Sequence, residues 1–177
     1  FGKGATGDTT LIAEFCEQNN IEFVCVPPTM AGDTALSSTY IRNLIREGNI
    51  KEASSMIYGG FSFTAPVVHG DARGRVLGFP TANQFYPNDL IKLKFGVYLS
   101  RVEIEGKRYK AITNIGVRPT YQTNEVGCET FIKDFSGDIY DKRMTTELLE
   151  FIREEKKFSS VDELKEAIIN DVKLLDM

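Results

Sequence analysis

The residues best suited to chemistry lie in one short stretch, HGDARGRVLGFPTAN, which begins at His69. Three glycines recur in it every four residues: Gly70, Gly74 and Gly78. Glycine lets the backbone reach positive φ and lets N–H groups approach a ligand, because no Cβ stands in the way. Arg73 and Arg75 add guanidinium groups, whose geometry matches phosphate oxygens. The stretch therefore predicts a phosphate-binding loop.

Two oxygen donors follow this loop. Pro80 stiffens the exit, and Thr81 and Asn83 then stand two residues apart, so their side chains share one face of an extended segment. Mg²⁺ prefers oxygen ligands and often shares its coordination shell with water and substrate phosphates. The pair therefore predicts a Mg²⁺ site if a nucleotide supplies further ligands. An ordinary glycine-rich hairpin with exposed arginines is the alternative, since a glycine pattern alone is not specific.

A carboxylate is the third candidate. Glu129 is the charged residue of the segment CETFI, which otherwise has the composition of a strand. Phosphoryl transfer needs charge neutralisation on the phosphates, an oriented hydroxyl and usually a carboxylate that accepts its proton. From the residues alone, the default interpretation of Glu129 is a solvent-facing strand carboxylate without such a role.

Composition limits the classes of protein. The chain has 177 residues and a net charge of −4, so we expect a sizeable core and no general nucleic-acid-binding surface. No apolar run approaches the roughly 20 residues of a membrane helix, and no basic and apolar leader opens the chain. We therefore expect no membrane partner and a cytoplasmic location, whereas no particular oligomeric state is predicted.

Cys16, Cys25 and Cys128 are too dispersed for a disulfide framework or a zinc site, and Cys25 is expected in the core.

Residues 1–58 have the pattern of an α/β domain. Asp8 can cap a helix whose apolar residues share one face. The run Ile21–Val26 is almost continuously apolar, which is typical of a buried parallel strand. A second helix begins near Ser37 and ends at Gly48.

The start of this second helix is a candidate phosphate site. Four polar residues carry it: Ser37, Ser38, Thr39 and Arg42. The N–H groups of a helix N-terminus attract anions, and an arginine one turn later would add positive charge. Serine is also a common helix cap, so the alternative is that these residues only begin the helix.

After a linker at residues 58–60, the apolar period changes from helical to alternating. Residues 61–67 alternate as in a strand with one buried face. Further strands are predicted at residues 96–104, 109–115, 127–135 and 139–152, the first two joined as a hairpin. Residues 147–157 also have helical propensity. Ser160 and Glu163 form a capping box at the start of an amphipathic helix that should cover the sheet.

The stretch that begins at His69 resembles the signature of the flavokinases, the riboflavin kinases. The likeness continues, in order and approximate spacing, through Gly96-Val97-Tyr98, Asn114 to Thr120, Glu129, Ile152-Arg153 and Phe158. It implies an enzyme that uses ATP and Mg²⁺ to phosphorylate riboflavin to FMN. It also implies a six-stranded antiparallel closed β-barrel with a C-terminal helix, and a strand rather than a helix up to about Arg153.

The resemblance implies that Glu129 is the catalytic base, which accepts the proton of the ribityl 5′-hydroxyl. Many members of the family have His two residues after this glutamate, and Phe131 occupies that place here. Either that His has no essential role in the reaction, or a protein with Phe at this position is a weaker enzyme. It does not affect Glu129 itself.

Further roles follow from the same resemblance. The nucleotide-binding residues would be Gly70, Gly74, Arg75, Gly78, Thr81 and Asn83, with Thr81 and Asn83 also holding Mg²⁺. Arg153 and Phe158 match the family's flavin-side loop, where Arg153 could stack on or hydrogen-bond to the isoalloxazine ring, or be an ordinary exposed arginine. Asn114, Arg118 and Thr120 should shape the mouth of the barrel.

The beginning of the chain resembles a second module. Residues 37–42 and 1–4 are similar to parts of the FMN adenylyltransferase module of bacterial bifunctional riboflavin kinase/FAD synthetases. We therefore expect a partial α/β, Rossmann-like nucleotidyltransferase fragment at 1–58, a riboflavin kinase domain at 59–177, and an α+β chain overall that begins inside the first module. The single histidine, His69, lies in the second, so no adenylyltransferase activity is expected from this chain as written.

Two other functions stay open at this point. A flavin-binding or flavin-sensing barrel without turnover would bind FMN tightly and have little need of Mg²⁺. The presence of Thr81, Asn83 and Glu129 argues against it. The chain could instead be chiefly an adenylyltransferase piece, against which the missing histidines count.

Overall fold

The computed structural model describes residues 1–70, 73–117 and 125–176, which form two compact units. The roles predicted for Arg118 and Thr120 at the barrel mouth fall outside these residues. Among the helices of the described residues, none is long and apolar enough to cross a membrane.

The first unit, Phe1–Leu36, contains one long helix, α1 (Thr9–Gln18). The predicted cap is confirmed, because Asp8 accepts a hydrogen bond from the Leu11 N–H at 3.0 Å. Two strands of two residues each pair antiparallel: β1 (Met30–Ala31) and β2 (Thr34–Ala35).

The buried strand predicted at Ile21–Val26 is wrong. These residues form no strand and are exposed, and Cys25 is exposed rather than in the core. A parallel strand is stable only where neighbours satisfy its backbone N–H and C=O groups. Within residues 1–36, all of which are described, the two short strands pair with each other and offer this run no partner. The adenylyltransferase origin of the segment stays a prediction.

The second unit, Ser37–Met177, is built on a curled sheet of six antiparallel strands. The strands are β3 (Phe61–Pro66), β4 (Thr81–Phe85), β5 (Gly96–Ile104), β6 (Lys107–Val117), β7 (Val126–Ile132) and β8 (Arg143–Arg153). Their order in the sheet is β3-β8-β5-β6-β7-β4. The preference for strand over helix before Arg153 is therefore confirmed.

Alternation along each strand separates the interior from the outer face. In β3, Phe61, Phe63 and Ala65 are buried whereas Ser62 and Thr64 are exposed, as predicted. The interior is filled from the other strands by residues that include Ala82, Tyr98, Val102, Ile115, Cys128, Met144 and Leu148. The hairpin between β5 and β6 is also confirmed.

The two edge strands of the sheet meet through few contacts, so closure of the barrel is partial. One bridge links Val68 to Asn83, with the Val68 N–H donating to the Asn83 carbonyl at 2.7 Å. The Gln84 side chain supplies a second link, since its Nε2 donates to the carbonyl oxygens of Ala65 at 2.8 Å and Met144 at 2.7 Å. The predicted closed barrel is thus a curled sheet whose edges join locally, without a continuous ladder between β3 and β4.

Two helices pack on one end of the sheet. They are α2 (Ser38–Glu47) and α3 (Ile50–Ser55). Gly48 ends α2 in the left-handed conformation with φ 88°, as its position predicted. Leu44, Ile45, Ile50 and Ala53 join the same hydrophobic cluster as the strand residues. The domain boundary predicted between residues 58 and 59 stays a prediction.

The C-terminal helix covers the outer face of the sheet, as predicted. This helix, α5 (Val161–Lys173), is followed by a 3₁₀ turn at Leu174–Asp176. Leu175 and Val172 pack against Val97 and Ile112 of the central strands. The C-terminal helix and the turn after it therefore lie against the outer face of the sheet.

Replacing Gln84 with Leu should destabilise the barrel. Gln84 is 1% exposed, and its Oε1 also accepts a hydrogen bond from Thr146 at 2.8 Å. Leucine would leave three buried polar groups without this partner, so we expect the free energy of unfolding to fall by about 3 kcal/mol. Urea denaturation measures the change. The same substitution at exposed Gln18 is the control, and equal stability of both variants would contradict the role of Gln84.

Candidate functional site

A cleft of about 340 Å³ lies on the outer face of the sheet, beneath α5. Its walls come from four parts of the chain: the loop before β4, strands β4 to β7, the segment after β8, and one face of α5. The sheet and loop contribute Gly74, Leu77, Phe79, Thr81, Val97, Ile112, Asn114, Glu129 and Phe131. The end of β8, the segment after it and α5 contribute Arg153, Glu155, Lys156, Phe158, Leu164, Ile168, Asp171 and Val172.

A row of polar residues crosses the strands at this cleft. Asn83 of β4 is the register partner of Glu129 of β7, and Glu129 is the partner of Asn114 of β6. Directly opposed residues project from the same face of an antiparallel sheet and lie close together. Glu129 is exposed to solvent while Asn83 is 6% exposed. The register therefore places a carboxylate between two amide side chains at an open cleft.

The loop before β4 is a compact turn, which begins with the short helix α4 (Arg73–Val76). The Phe79 N–H donates to the Gly74 carbonyl at 2.8 Å and closes the turn. A Cβ on Gly74 would collide with the Phe79 carbonyl oxygen, and a Cβ on Gly70 would collide with the Asn83 amide. Of these loop glycines only Gly78 has positive φ, 88°. Two of the three glycines are thus required by close packing rather than by backbone conformation.

The structure brings some of the predicted site residues together. Gly74, Thr81, Glu129, Arg153 and Phe158 all line the cleft.

Other predicted residues lie beside the cleft. Asn83 is held against Gly70 next to Thr81. Gly78 is exposed on the loop, and Arg75 lines a second cavity instead. Ser37 is the cap of α2, since its Oγ accepts the Tyr40 N–H at 3.1 Å.

The remaining residues of the candidate phosphate site are exposed at the start of α2: Ser38, Thr39 and Arg42. The alternative that Ser37 caps the helix is thus observed. Phosphate binding by this group stays a prediction.

The second cavity, of about 530 Å³, lies beside the same loop. Thr81 lines both cavities, and Pro80 and Arg75 line the second. The far wall is formed by residues that include Phe135, Ser136, Gly137, Asp138, Ile139 and Tyr140. His69 stacks on Tyr140 with ring centroids 3.8 Å apart. The sequence alone did not reveal this cavity, because its walls come from segments that are far apart in the chain.

The Arg153 side chain is only partly exposed, and another residue of the cleft binds its guanidinium. Its guanidinium forms a two-pronged ion pair with Asp171 of α5, with Nη2 to Oδ2 at 2.7 Å and Nε to Oδ1 at 3.1 Å. The guanidinium carbon also lies 5.8 Å from the ring centroid of Phe158. A direct flavin contact by Arg153 stays a prediction, whereas Asp171 is a cleft residue that sequence analysis missed.

A second carboxylate was also missed. Glu155 accepts a hydrogen bond from Asn114 Nδ2 at 3.3 Å and lies over Gly116, where a Cβ would collide with it. Asn114 therefore lies between this carboxylate and its strand partner Glu129. No local pattern signals the contact, since Glu155 follows the end of β8, the last strand in sequence.

Glu163 ties the segment after β8 to the first turn of α5. Its carboxylate accepts hydrogen bonds from Lys156 Nζ at 2.8 Å and from the N–H and Oγ of Ser159 at 3.0 and 2.8 Å. These bonds lower the pKa of Glu163 from 4.5 to about 2. Ser160 caps the helix through the Glu163 N–H, as predicted, but the return bond of the capping box goes to Ser159.

Titration of Glu163 tests this attachment. Because the pKa is lower in the folded state, the contacts stabilise the fold fully above about pH 4.5 and are lost as the pH falls toward about 2. Side-chain NMR should give a midpoint near 2 for Glu163, and Lys156→Met should raise it. A midpoint that Lys156→Met leaves unchanged would contradict the attachment.

Comparisons with known proteins agree with the resemblance. A model of the family described as "Flavokinase: Riboflavin kinase" matches residues 59–176. A bifunctional riboflavin kinase/FMN adenylyltransferase of Escherichia coli K12 is 33% identical over 174 residues, which cover 97% of this chain and 55% of that protein. The corresponding protein of Listeria monocytogenes is 32% identical over 165 residues, which cover 93% and 52%.

A solved structure described as a macrolide-efflux protein from Streptococcus pneumoniae has the same fold, with a TM-score of 0.82 and 36% identity over 93% of this chain and 54% of that one. The chain spans about half the length of these bifunctional relatives. The predicted family is confirmed by the match at residues 59–176, which includes every strand of the curled sheet and the cleft. The chain therefore belongs to the riboflavin kinase family.

Proposed function

We propose that this chain transfers the γ-phosphoryl group of ATP to the 5′-hydroxyl of riboflavin, which yields FMN and ADP. The observation that carries the proposal is the row of register partners at the cleft, in a chain that belongs to the riboflavin kinase family. This row puts a carboxylate, an amide and, two residues along β4, a hydroxyl beside a compact glycine loop. These are the parts that phosphoryl transfer to an alcohol requires.

Glu129 is the base in this proposal. As the hydroxyl oxygen attacks phosphorus, its O–H bond breaks and the proton passes to the Glu129 carboxylate. The new O–P bond forms while the bond from the γ-phosphorus to the β–γ bridging oxygen breaks, and ADP leaves with the electron pair. An exposed carboxylate on a strand that is paired on both sides suits this task, because the pairing fixes its direction while the cleft admits the substrate.

The two cavities suit the two substrates. The first has apolar walls that include Leu77, Phe79, Val97, Ile112, Phe131, Phe158, Leu164 and Ile168, which fit a flat isoalloxazine ring. The second adjoins the glycine loop and Arg75, which suits ATP. Thr81 lines both cavities, so the phosphoryl group would pass near this residue.

Thr81 and Asn83 form a donor set that fits Mg²⁺. They offer a hydroxyl and an amide oxygen on one face of β4, and the Asn83 amide lies so close to Gly70 that a Cβ there would collide with it. Among the described residues, no cluster of three His, Cys, Asp or Glu side chains could hold a metal ion. Substrate phosphates would therefore complete the shell, and Mg²⁺ when bound would neutralise their charge.

The relatives are named bifunctional, and their second activity is adenylylation of FMN. We propose that this chain alone forms FMN without forming FAD, and that FMN is adenylylated to FAD only in a longer protein. Chromatography of the products of riboflavin and ATP measures both flavins.

The first experiment measures metal-dependent FMN formation. With riboflavin, ATP and Mg²⁺, the wild type should form FMN, and a chelator should abolish it. Asn83→Ala should raise the KM for Mg·ATP by about tenfold, since one metal ligand is lost. Asn88→Ala, at an exposed residue outside the strands, is the control. Tight FMN binding without any metal-dependent turnover would favour a flavin-binding module instead.

A second experiment tests the base. Glu129→Gln should lower kcat by roughly 10²-fold or more, because the amide cannot accept the proton, with a smaller change in riboflavin affinity. Glu150→Gln is the matched control, since Glu150 lies on β8 and pairs with Lys51. An equal loss of binding and rate in Glu129→Gln would contradict the assignment.

A further inference from the structure

One aromatic ring of the cleft lies within cation–π distance of two cations. Phe158 has the Arg153 guanidinium carbon 5.8 Å from its ring centroid and Lys156 Nζ at 5.6 Å. All three side chains line the cleft. Cation–π contacts favour this arrangement. Because arginine and lysine side chains have many rotamers, further contacts are needed to keep both cations beside the ring.

Both cations are held by carboxylates of α5. Arg153 pairs with Asp171 through bonds of 2.7, 3.1 and 3.2 Å, and Lys156 pairs with Glu163 at 2.8 Å. The helix therefore fastens residues 153–159, here called the rim segment, near both of its ends. Sequence analysis predicted α5 only as a cover for the sheet.

The Arg153–Asp171 pair is the more buried of the two. The Asp171 side chain is 9% exposed and that of Arg153 is 30% exposed. A buried ion pair contributes little net stability, because desolvation of both charges offsets their attraction, so stability alone does not account for it. The pair does determine direction, since a bidentate contact orients the planar guanidinium. Arg153 Nη1 also donates to the Glu154 carbonyl at 3.2 Å, which extends the same orientation into the rim segment.

We propose that Asp171 is a positioning residue for riboflavin binding, which acts by orienting Arg153 and, through it, the Phe158 wall of the cleft. The inference rests on the proposed function and adds a determinant of flavin affinity to it. Asp171 takes no part in proton or phosphoryl transfer in this account. Its loss should therefore affect riboflavin and leave the use of ATP unchanged.

The test is Asp171→Asn, which keeps the size of the side chain and removes the charge. We expect the KM for riboflavin to rise by about tenfold, and kcat and the KM for Mg·ATP to change by less than about twofold. The Kd of riboflavin, measured by flavin fluorescence without ATP, should rise to the same extent. Glu166→Gln, at an exposed carboxylate of the same helix, is the matched control and should leave all four constants unchanged.

Two further variants separate positioning from stability. Asp171→Glu keeps the charge and should recover most of the riboflavin affinity. The double variant Arg153→Met with Asp171→Leu replaces the pair with apolar side chains, which often preserves stability. We expect it to melt near the wild-type temperature with a riboflavin Kd as high as that of Asp171→Asn. Wild-type affinity in the double variant would overturn the inference, because a purely structural pair would then explain Asp171.

The outcomes also distinguish this inference from the proposed function. If the wild type forms no FMN, the kinase proposal fails, while the riboflavin Kd of the variants still tests Asp171. If the wild type forms FMN but Asp171→Asn has unchanged riboflavin KM and Kd, the inference fails and the kinase proposal stands. A fall in kcat with unchanged KM would likewise overturn it.

Discussion

The pairing register of β4, β7 and β6 is the constraint on which the site depends. It sets Asn83 opposite Glu129 and Glu129 opposite Asn114. Because side chains alternate across a sheet, a slip of one residue would turn Glu129 into the interior and bring Cys128, which is 0% exposed, to the cleft. Because Cys128 packs in the interior, the neighbouring Glu129 projects to the outer face, where the cleft lies. Barrel stability and the proposed chemistry thus rest on the same ladder of hydrogen bonds.

Local sequence patterns predicted most of the fold of the second unit, because alternation, caps and turn residues act over a few positions. The strand at Phe61–Pro66 and the left-handed end of α2 at Gly48 are examples. The same reasoning failed at Ile21–Val26, since an apolar run specifies a strand only if partner strands are present. Partial closure was also beyond local patterns, because it depends on Gln84 reaching two other strands.

The candidate site was predictable where a motif is contiguous and not where contacts join distant segments. Thr81 and Glu129 line the cleft, and the roles that the family resemblance implies for them stay predictions. Asp171 was missed because its partner Arg153 precedes it by 18 residues, across a turn and most of a helix. The sequence pattern singled out Gly74 partly for its access to positive φ, whereas in the structure close packing against Phe79 is what requires a glycine there. Contacts of this kind arise from tertiary packing, which depends on the whole sequence and not on any local pattern.

A crystal structure of this chain with FMN, ADP and Mg²⁺ would show whether both substrates bind where we propose. We expect the isoalloxazine ring to lie against Phe158 in the first cleft and ADP to occupy the second cavity beside Arg75. The FMN phosphate would lie between Thr81 and Glu129, with the 5′-oxygen within hydrogen-bonding distance of the Glu129 carboxylate. FMN bound elsewhere, or with its phosphate remote from Glu129, would contradict the account.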